Sequence, residues 1–522
     1  MKRLLAPQDE MGRQLDISID GDSVETNRAI EFVGFGITET AGNARILPNC
    51  RFHFLGYGRS DRVKEAFLLN CFEEMTGSKS SEPEDRLSEL PDSLIFEIFG
   101  FLPTVDVVRT TVLSNRWKNL WTTTPNLTFN DTMMGGTDKA RNFINGALKL
   151  WRGIKLLKFS VHLCEKLEMS MVSDINSWVR FATEKEVEDL CLDLTFQDNQ
   201  VMCWVPQCLY SCSSLKALSL VGCFIYIQGG LQWNQLKSLK IDNDWLKHNI
   251  VNQILCSCPQ LEVLSFSVYE SNDSLNVQSS SLKELTIEKY IREVTEQSMV
   301  SELTIWAPNL EKLHMSGAAY NKYFLQNVSS LTHVTLGFYG PIRYVEPLTL
   351  WNDILSHRLL DIFPSIQHVE KVTLSDWCFQ VLGTMKRRYL PLLLPNVTCL
   401  EVCGCFLELK QMVRLLEMLP KLKMLVLVTE EGARYPNLPE IRLKCRKRFL
   451  KSFLRQLRSV EVRWTRGDTS FYALMELLLR QASQLQQVVF RKRMDLELEV
   501  TSYFYIRGTA GEKTEILNYM KS

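Results

Sequence analysis

The chain has 522 residues, 45% of them hydrophobic and 23% charged, with 60 Lys+Arg against 60 Asp+Glu. That length predicts about two to four domains or one long repeat array. Zero formal net charge argues against nucleic acid as the main partner, since phosphate-covering proteins carry a basic excess. No apolar run reaches the roughly 18 residues that cross a membrane, so no membrane role is expected.

At the N-terminus, MKRLLAPQDEM offers a basic pair but breaks at Pro7 and Asp9 before any apolar core, so a secretory leader is not expected. Fifteen cysteines, an odd number, then read as reduced thiols and point to the cytoplasm or the nucleus. In such a compartment the Asn-x-Ser/Thr matches at Asn126, Asn130, Asn272, Asn327 and Asn396 are chance. Residues 1–84 stay unassigned and are expected to be largely disordered or linker. Their glycine pairs, Gly34 with Gly36 and Gly56 with Gly58, complete no dinucleotide fingerprint, and they lead into TGSKSSEPED, Thr76–Asp85, a linker composition.

Three short helices are predicted between Leu90 and Trp121. Pro91 suits a first helical position, and Leu94, Ile95, Ile98, Phe101 and Leu102 recur at helical spacing until Pro103. Thr104 is expected to cap a second helix bearing Val105, Val108 and Val112, and Ser114 a third bearing Trp117, Leu120 and Trp121. A unit of about 35 residues cannot bury a self-sufficient core, so its apolar surplus asks for a partner.

From Ile154 onward the pattern apolar-x-x-apolar-x-apolar repeats, starting at Ile154, Val187, Leu215, Leu236, Leu261, Leu282, Leu310, Leu331, Val369, Val397, Leu422, Leu457 and Leu485. The mean step of about 28 residues lies in the range of leucine-rich repeats. Proline introduces several units, at Pro259, Pro308, Pro395 and Pro420. In a strand the last two apolar positions of each motif face one side. Leu218 with Leu220, or Leu285 with Ile287, should therefore point into a core. The fold class is α/β: a small helical module, then a curved solenoid with a parallel concave sheet and helices or irregular segments on its rim. The residues between, among them Ser238, Lys240, Asp242, Glu284, Thr286, Glu288, Lys312, His314, Ser316, Lys371 and Thr373, form an outward polar strip.

These residues converge on a family. DRLSELPDSLIFEIFGFLPTVDVVRTTVLSNRWKNLW, Asp85–Trp121, resembles an F-box in its Leu-Pro opening, its Phe-Leu-Pro helix end and its Leu-Ser-x-Arg-Trp third helix. With the irregular repeats it is similar to the plant F-box/leucine-rich-repeat group. LPNVTCLEV, LPKLKMLVL, the Leu-Arg-Ser-Val-Glu-Val strand and the Leu-Leu-Leu-Arg-x-Ala-x-x-Leu helix resemble the FBD segment that closes many such chains, although KCRKRFLKSF, Lys444–Phe453, stands where that segment usually has Pro-x-Cys-Leu. The implied organisation is 1–84 unassigned, 85–130 F-box, 150–394 repeats, 395–495 FBD-like and 496–522 a C-terminal tail.

The resemblance implies a non-catalytic subunit of an SCF-type ubiquitin ligase. Its F-box would dock a Skp-type adaptor, and through it a cullin-RING assembly, by Leu90, Pro91, Leu94, Ile98, Leu102 and Pro103, supported by Leu113 and Trp117. The repeats would hold a target protein of unknown identity, with Ser238, Lys240, Asp242, Glu284, Glu288, Lys312 and His314 as candidate contacts. The contribution would be proximity, raising the effective concentration of target lysines. The alternative is a leucine-rich scaffold whose F-box does not dock.

Sharper chemistry finds little support. The clusters Cys256/Cys258, Cys399/Cys403/Cys405 and Cys203/Cys208/Cys212 lack paired zinc spacing and read as core cysteines, Cys223 and Cys405 following the strand motif. No His-Glu-x-x-His or Gly-x-Ser-x-Gly occurs among the residues, and no catalytic residue, metal or cofactor is expected. His314 and His333 are expected as outward neighbours on consecutive repeats. The basic run Arg442–Arg458 reads as a solvated face, with nucleic acid, nuclear import or an acidic partner as the competing readings.

Overall fold

The structure, a computed structural model, describes residues 31–32, 52–53, 90–113, 116–164, 168–194, 203–243, 246–269, 274–290, 301–339, 356–384, 394–403, 412, 414–416, 419–428, 456–464, 475–476, 478–479, 482–494, 497–505 and 515–516. Ser114, Cys405, residues 442–455 of the basic run and most of 1–84 lie outside them; within 1–84, Glu31–Phe32 and Phe52–His53 pair antiparallel. Two compact units result, residues 1–187 with 196–198, and 188–195 with 199–522.

In the first unit the helices run Asp92–Phe101, Thr104–Arg109 and Trp117–Leu120, the last two extended by 3-10 turns at Thr110–Val112 and Trp121–Thr123. Pro91 sits one place earlier than the first helical position expected for it, and Pro103, expected to end the first helix, takes the cap position expected for Thr104. Pro91 and Pro103 are N-cap residues with extended ψ, and their carbonyls accept the first amides of each helix: Leu94 and Ile95, then Asp106 and Val107. Thr104 is therefore not the cap. It is the first helical residue, and its Oγ1 accepts the Thr128 N–H at 2.7 Å, tying the helix to the strand Asn126–Asn130. That strand pairs parallel with Lys158–His162 around the crossover helix Thr137–Leu150. Helix Met169–Glu184 follows. Trp178 Nε1 donates to Asn145 Oδ1 at 2.7 Å, and Arg141 pairs with Asp174 at 2.6 Å.

The first repeat is framed differently from the sequence expectation. Ile154 is 95% exposed and Leu157 45%, whereas Leu156, Phe159 and Val161 are fully buried. The motif thus starts at Leu156. The sheet pattern also begins earlier, because Thr124, Leu127 and Phe129 occupy the same three buried positions. Thr124 broke the apolar pattern in the sequence.

The second unit is a parallel sheet whose strands include Asp189–Asp193, Ala217–Val221, Ser238–Asp242, Val263–Tyr269, Glu284–Tyr290, Lys312–Gly317, His333–Phe338, Lys371–Ser375, Cys399–Cys403, Met424–Val428, Ser459–Trp464 and Gln487–Met494, each pairing with the next. The inward positions alternate as expected; Leu218, Leu220, Leu285, Ile287, Leu313 and Met315 are all buried.

Two local devices hold this register. In several motifs the first apolar residue closes a turn onto the carbonyl three residues before it: Leu261 to Cys258, Leu310 to Ala307, Leu422 to Leu419. Pro259, Pro308 and Pro420 fill the second position of those turns, where proline's fixed φ is already correct. The second device is a shared carbonyl. Glu188, Lys216, Lys237, Glu262, Lys283 and Glu311 each accept two consecutive amides from the start of the next strand. Each of these units is therefore aligned to its predecessor by backbone hydrogen bonds alone.

The rim departs from the expectation of helices or irregular segments. His248–Ser257 is a helix, with His248, Val251 and Ile254 buried at a step of three. Between the following strands, however, Leu275–Gln278, Glu302–Trp306 and Lys322–Gln326 form a second parallel sheet. Their buried residues, Leu275 and Val277, Leu303 and Ile305, Tyr323 and Leu325, recur every two residues, and that period suits a strand. At the other end, Glu497–Tyr505 is no free tail: it pairs antiparallel with Gln487–Met494 and covers its edge amides and carbonyls.

Candidate docking surfaces

The first helix carries two apolar stripes at four-residue spacing. Ile95 and Phe99 are buried, and Phe99 packs edge-on against the buried Trp117 with ring centroids 5.6 Å apart. Leu94 and Ile98 form the other stripe, continued by Leu102 at the C-cap. Leu94 is 37% exposed and Val112 54%, while Leu90, Ile98, Leu102, Pro103 and Leu113 are half-buried and Pro91 is exposed. An Arg116–Asp92 ion pair joins the third helix to the start of the first. The candidate adaptor residues thus divide into a surface set and Trp117, which lies beneath them. Val112, which the sequence reading placed in the second helix but not among the contacts, is the most exposed apolar residue of this stretch.

On the sheet, Ser238, Lys240, Asp242, Glu284, Glu288, Lys312 and His314 all occupy outward, non-core positions, and the pairings align them in rows. One row runs Ser238, Val263, Glu284, Lys312, His333, Lys371, Cys399; the next runs Lys240, Ser265, Thr286, His314, Thr335, Thr373, Glu401. His314 and His333 are therefore in different rows: His333 stands level with Lys312, and His314 with Thr335. Burial lowers the His333 pKa, and Lys371 and Lys312 add to it; burial likewise lowers that of His314 against the opposing pull of Glu288.

Charges on this face are mostly neutralised within it. Lys312 pairs with Glu284. Glu401 and Glu461 share Arg463 at 3.1 and 2.7 Å, and Glu461 also takes Arg491 at 2.8 Å. The sequence reading did not single out this far-end network, nor the aromatic residues Tyr269, Tyr290 and Tyr339. Extending the two-residue alternation past the repeat motif reaches both tyrosines that end the seven-residue strands Val263–Tyr269 and Glu284–Tyr290.

Elsewhere the titratable groups are structural. Cys203, Cys212, Cys223, Cys258 and Cys378 are buried, and burial raises each thiol; Cys203 and Cys258 reach about 12. Cys256 and Cys164, by contrast, are exposed. Among the described residues no group of three His, Cys, Asp or Glu side chains is placed to hold a metal, and no helix is long and apolar enough to cross a membrane. An open pocket at the strand starts is lined by Lys237, Glu262, Lys283 and Glu311. Its Glu262 pairs with Lys283 at 2.8 Å and Lys237 at 3.9 Å, so its charges are already matched.

Comparison with known proteins agrees with this architecture. An F-box domain model matches residues 87–129, and a model described as FBD-associated F-box protein, LRR repeats, matches 175–335. An Arabidopsis thaliana F-box/LRR-repeat protein is 30% identical over 358 residues, covering 66% of this chain and 72% of its own length. An FBD-associated F-box protein of the same plant is 29% identical, covering 69% and 76%. An F-box/FBD/LRR-repeat protein, also from Arabidopsis thaliana, is 25% identical, covering 68% and 79%. With its exposed helical stripe, its turn-aligned parallel repeats and these relatives, the chain belongs to the plant F-box/LRR-repeat family.

Proposed function

We propose that the chain is the substrate-recognition subunit of an SCF-type ubiquitin ligase. Its F-box docks a Skp-type adaptor, and the outward face of its repeats binds the protein to be modified. The role of a non-catalytic substrate receptor follows in general from an F-box joined to leucine-rich repeats. The observation that carries the docking step is the apolar surface of Leu94 and Val112 beside half-buried Leu90, Ile98, Leu102 and Leu113. Such a surface on a small module is stabilised by a partner. Bond-making falls to other subunits, and this chain supplies proximity. We place the complex in the cytoplasm or nucleus, where buried thiols such as Cys203 and Cys223 stay reduced.

The test is pull-down of a Skp-type adaptor by the full chain and by Leu94→Asp with Val112→Asp. Interface anchors typically contribute about 2 kcal/mol or more each, so the double variant should lose the adaptor. Its circular dichroism should stay that of the wild type, since both positions are at the surface. Wild-type chain that fails to bind any Skp-type adaptor from its own organism would leave the scaffold reading in its place.

A further inference from the structure

One part of the outward face is built differently from the rest. Glu288 stands in a row of small residues: Ser267 is level with it on one side, Ser316 on the other, and Gly337 beyond. The floor beside its carboxylate is therefore low. Two residues further along the strands, Tyr269 and Tyr290 are paired and stacked, their ring centroids 4.7 Å apart at 21°. Tyr290 donates its hydroxyl hydrogen to Glu288 Oε2 at 2.8 Å. Burial raises the Tyr290 phenol, with Glu288 and then Asp242 adding to it, and burial with Glu288 raises that of Tyr339, which is 37% exposed and donates to the Lys289 carbonyl at 3.5 Å. Two carboxylates and two stacked rings thus border one hollow above Ser267, and a third phenol lies two strands beyond Glu288.

The charge of this hollow is unbalanced. Glu284, Glu401 and Glu461 each have a lysine or arginine partner on the same face. Among the described residues none pairs with Glu288 or Asp242, and Lys240, two residues before Asp242 on the same strand, is exposed and forms no ion pair with it. The neighbouring His314 is held toward its neutral form by burial.

We propose that this hollow seats an arginine side chain of the target protein, its guanidinium stacked on the Tyr269–Tyr290 pair and hydrogen-bonded to Glu288 and Asp242. The inference rests on reading the outward face as the target-binding surface, and it deepens that reading by naming what is recognised. Arginine fits better than a bare ion, because no three-ligand metal group exists among the described residues. It also fits better than lysine, because a planar fork can lie on an aromatic face while donating to carboxylates at its edge.

The test is fluorescence anisotropy on the full chain with a labelled peptide of alternating glycine and arginine, and with the same peptide carrying citrulline, the uncharged isostere. The arginine peptide should bind and the citrulline peptide should not. Glu288→Gln with Asp242→Asn should weaken binding about tenfold or more, while Glu302→Gln with Glu262→Gln, which removes the same charge elsewhere, should not. Equal affinity of the first pair and wild type, with matching thermal melts, would overturn the proposal, as would equal binding of the citrulline peptide. Adaptor pull-down on the same samples separates the two readings. Retained adaptor with arginine-indifferent binding removes only the hollow, whereas lost adaptor with arginine-selective binding removes only the ligase reading.

Discussion

The first helix of the F-box and the strands of the repeats handle apolar side chains differently. In Asp92–Phe101 the buried stripe Ile95 and Phe99 has a second apolar stripe beside it, and Leu94 remains 37% exposed. In Glu284–Tyr290 the inward residues Leu285 and Ile287 are each 1% exposed and the outward ones are polar or tyrosine. The difference lies in what each element finds to pack on. A parallel strand in a repeat has a neighbour on both sides and a rim over its inner face, so its own chain completes its core. Short helices in a small module have less chain around them, and their second stripe stays partly exposed.

The comparison breaks most visibly by charging the repeat core. Leu285→Asp places a carboxylate between Leu264 and Leu313, its register neighbours, at a cost of several kcal/mol. Circular dichroism should show a large drop in melting temperature or insoluble protein. An unchanged melt would mean that the strand does not face inward as described.

A gentler test uses a charged side chain that the core already contains. Lys289 is 1% exposed, donates to Ser301 Oγ at 2.6 Å and lies 4.1 Å from the centroid of the Tyr320 ring, without a carboxylate partner among the described residues. Burial, with a smaller contribution from Arg358, lowers its pKa from 10.5 to about 7. Below pH 7 the ammonium is charged in both folded and unfolded chains, and the folded state carries the full desolvation cost. As pH rises from 7 toward 10.5 the folded chain sheds the proton first, so stability rises with pH across that window. Lys289→Met should therefore stabilise the repeats by about 1–4 kcal/mol near pH 6, and the gain should shrink by pH 9. Melting curves at the two pH values check both sign and trend; a gain that grows with pH would contradict the assignment.

The smallest expected effect sharpens the contrast from the F-box side. Val112 is 54% exposed, so Val112→Ser should change stability by about 0.5 kcal/mol or less. Chemical denaturation measures this. A loss comparable to that of a repeat-core residue would show that Val112 belongs to the module's own core and not to a docking surface.

Much of this architecture was legible in the residues because it is local. Prolines at Pro259, Pro308 and Pro420 mark tight turns, the period of two gives each strand its sides, and the four-residue spacing of Leu94, Ile98 and Leu102 marks one helix face. Where local signals are degenerate, they mislead. Ile154-x-x-Leu157-x-Phe159 and Leu156-x-x-Phe159-x-Val161 fit the same pattern, and only burial under neighbouring elements selects the second. Thr104 has the chemistry of a cap, yet the Thr128 amide, 24 residues away, takes its oxygen.

By itself, then, the sequence determined that the chain is a helical module followed by stacked strands, and, from Val187 onward, which residues of the repeat strands face the core. Those properties depend on spacings of two to four residues, which neighbouring side chains enforce directly. Tertiary structure alone decided which residues of different repeats stand side by side. Asp242, Tyr269 and Glu288 come from three strands and fall on one stretch of the face because shared carbonyls at Lys237 and Glu262 lock consecutive strand starts together. It also set Lys289, inward by the same alternation, level with Gly317 at φ +86°, where a β-carbon would lie 2.1 Å from the Lys289 carbonyl oxygen. Connections between strands vary in length, so the alignment of distant side chains is a property of the hydrogen-bonded register and not of any one segment.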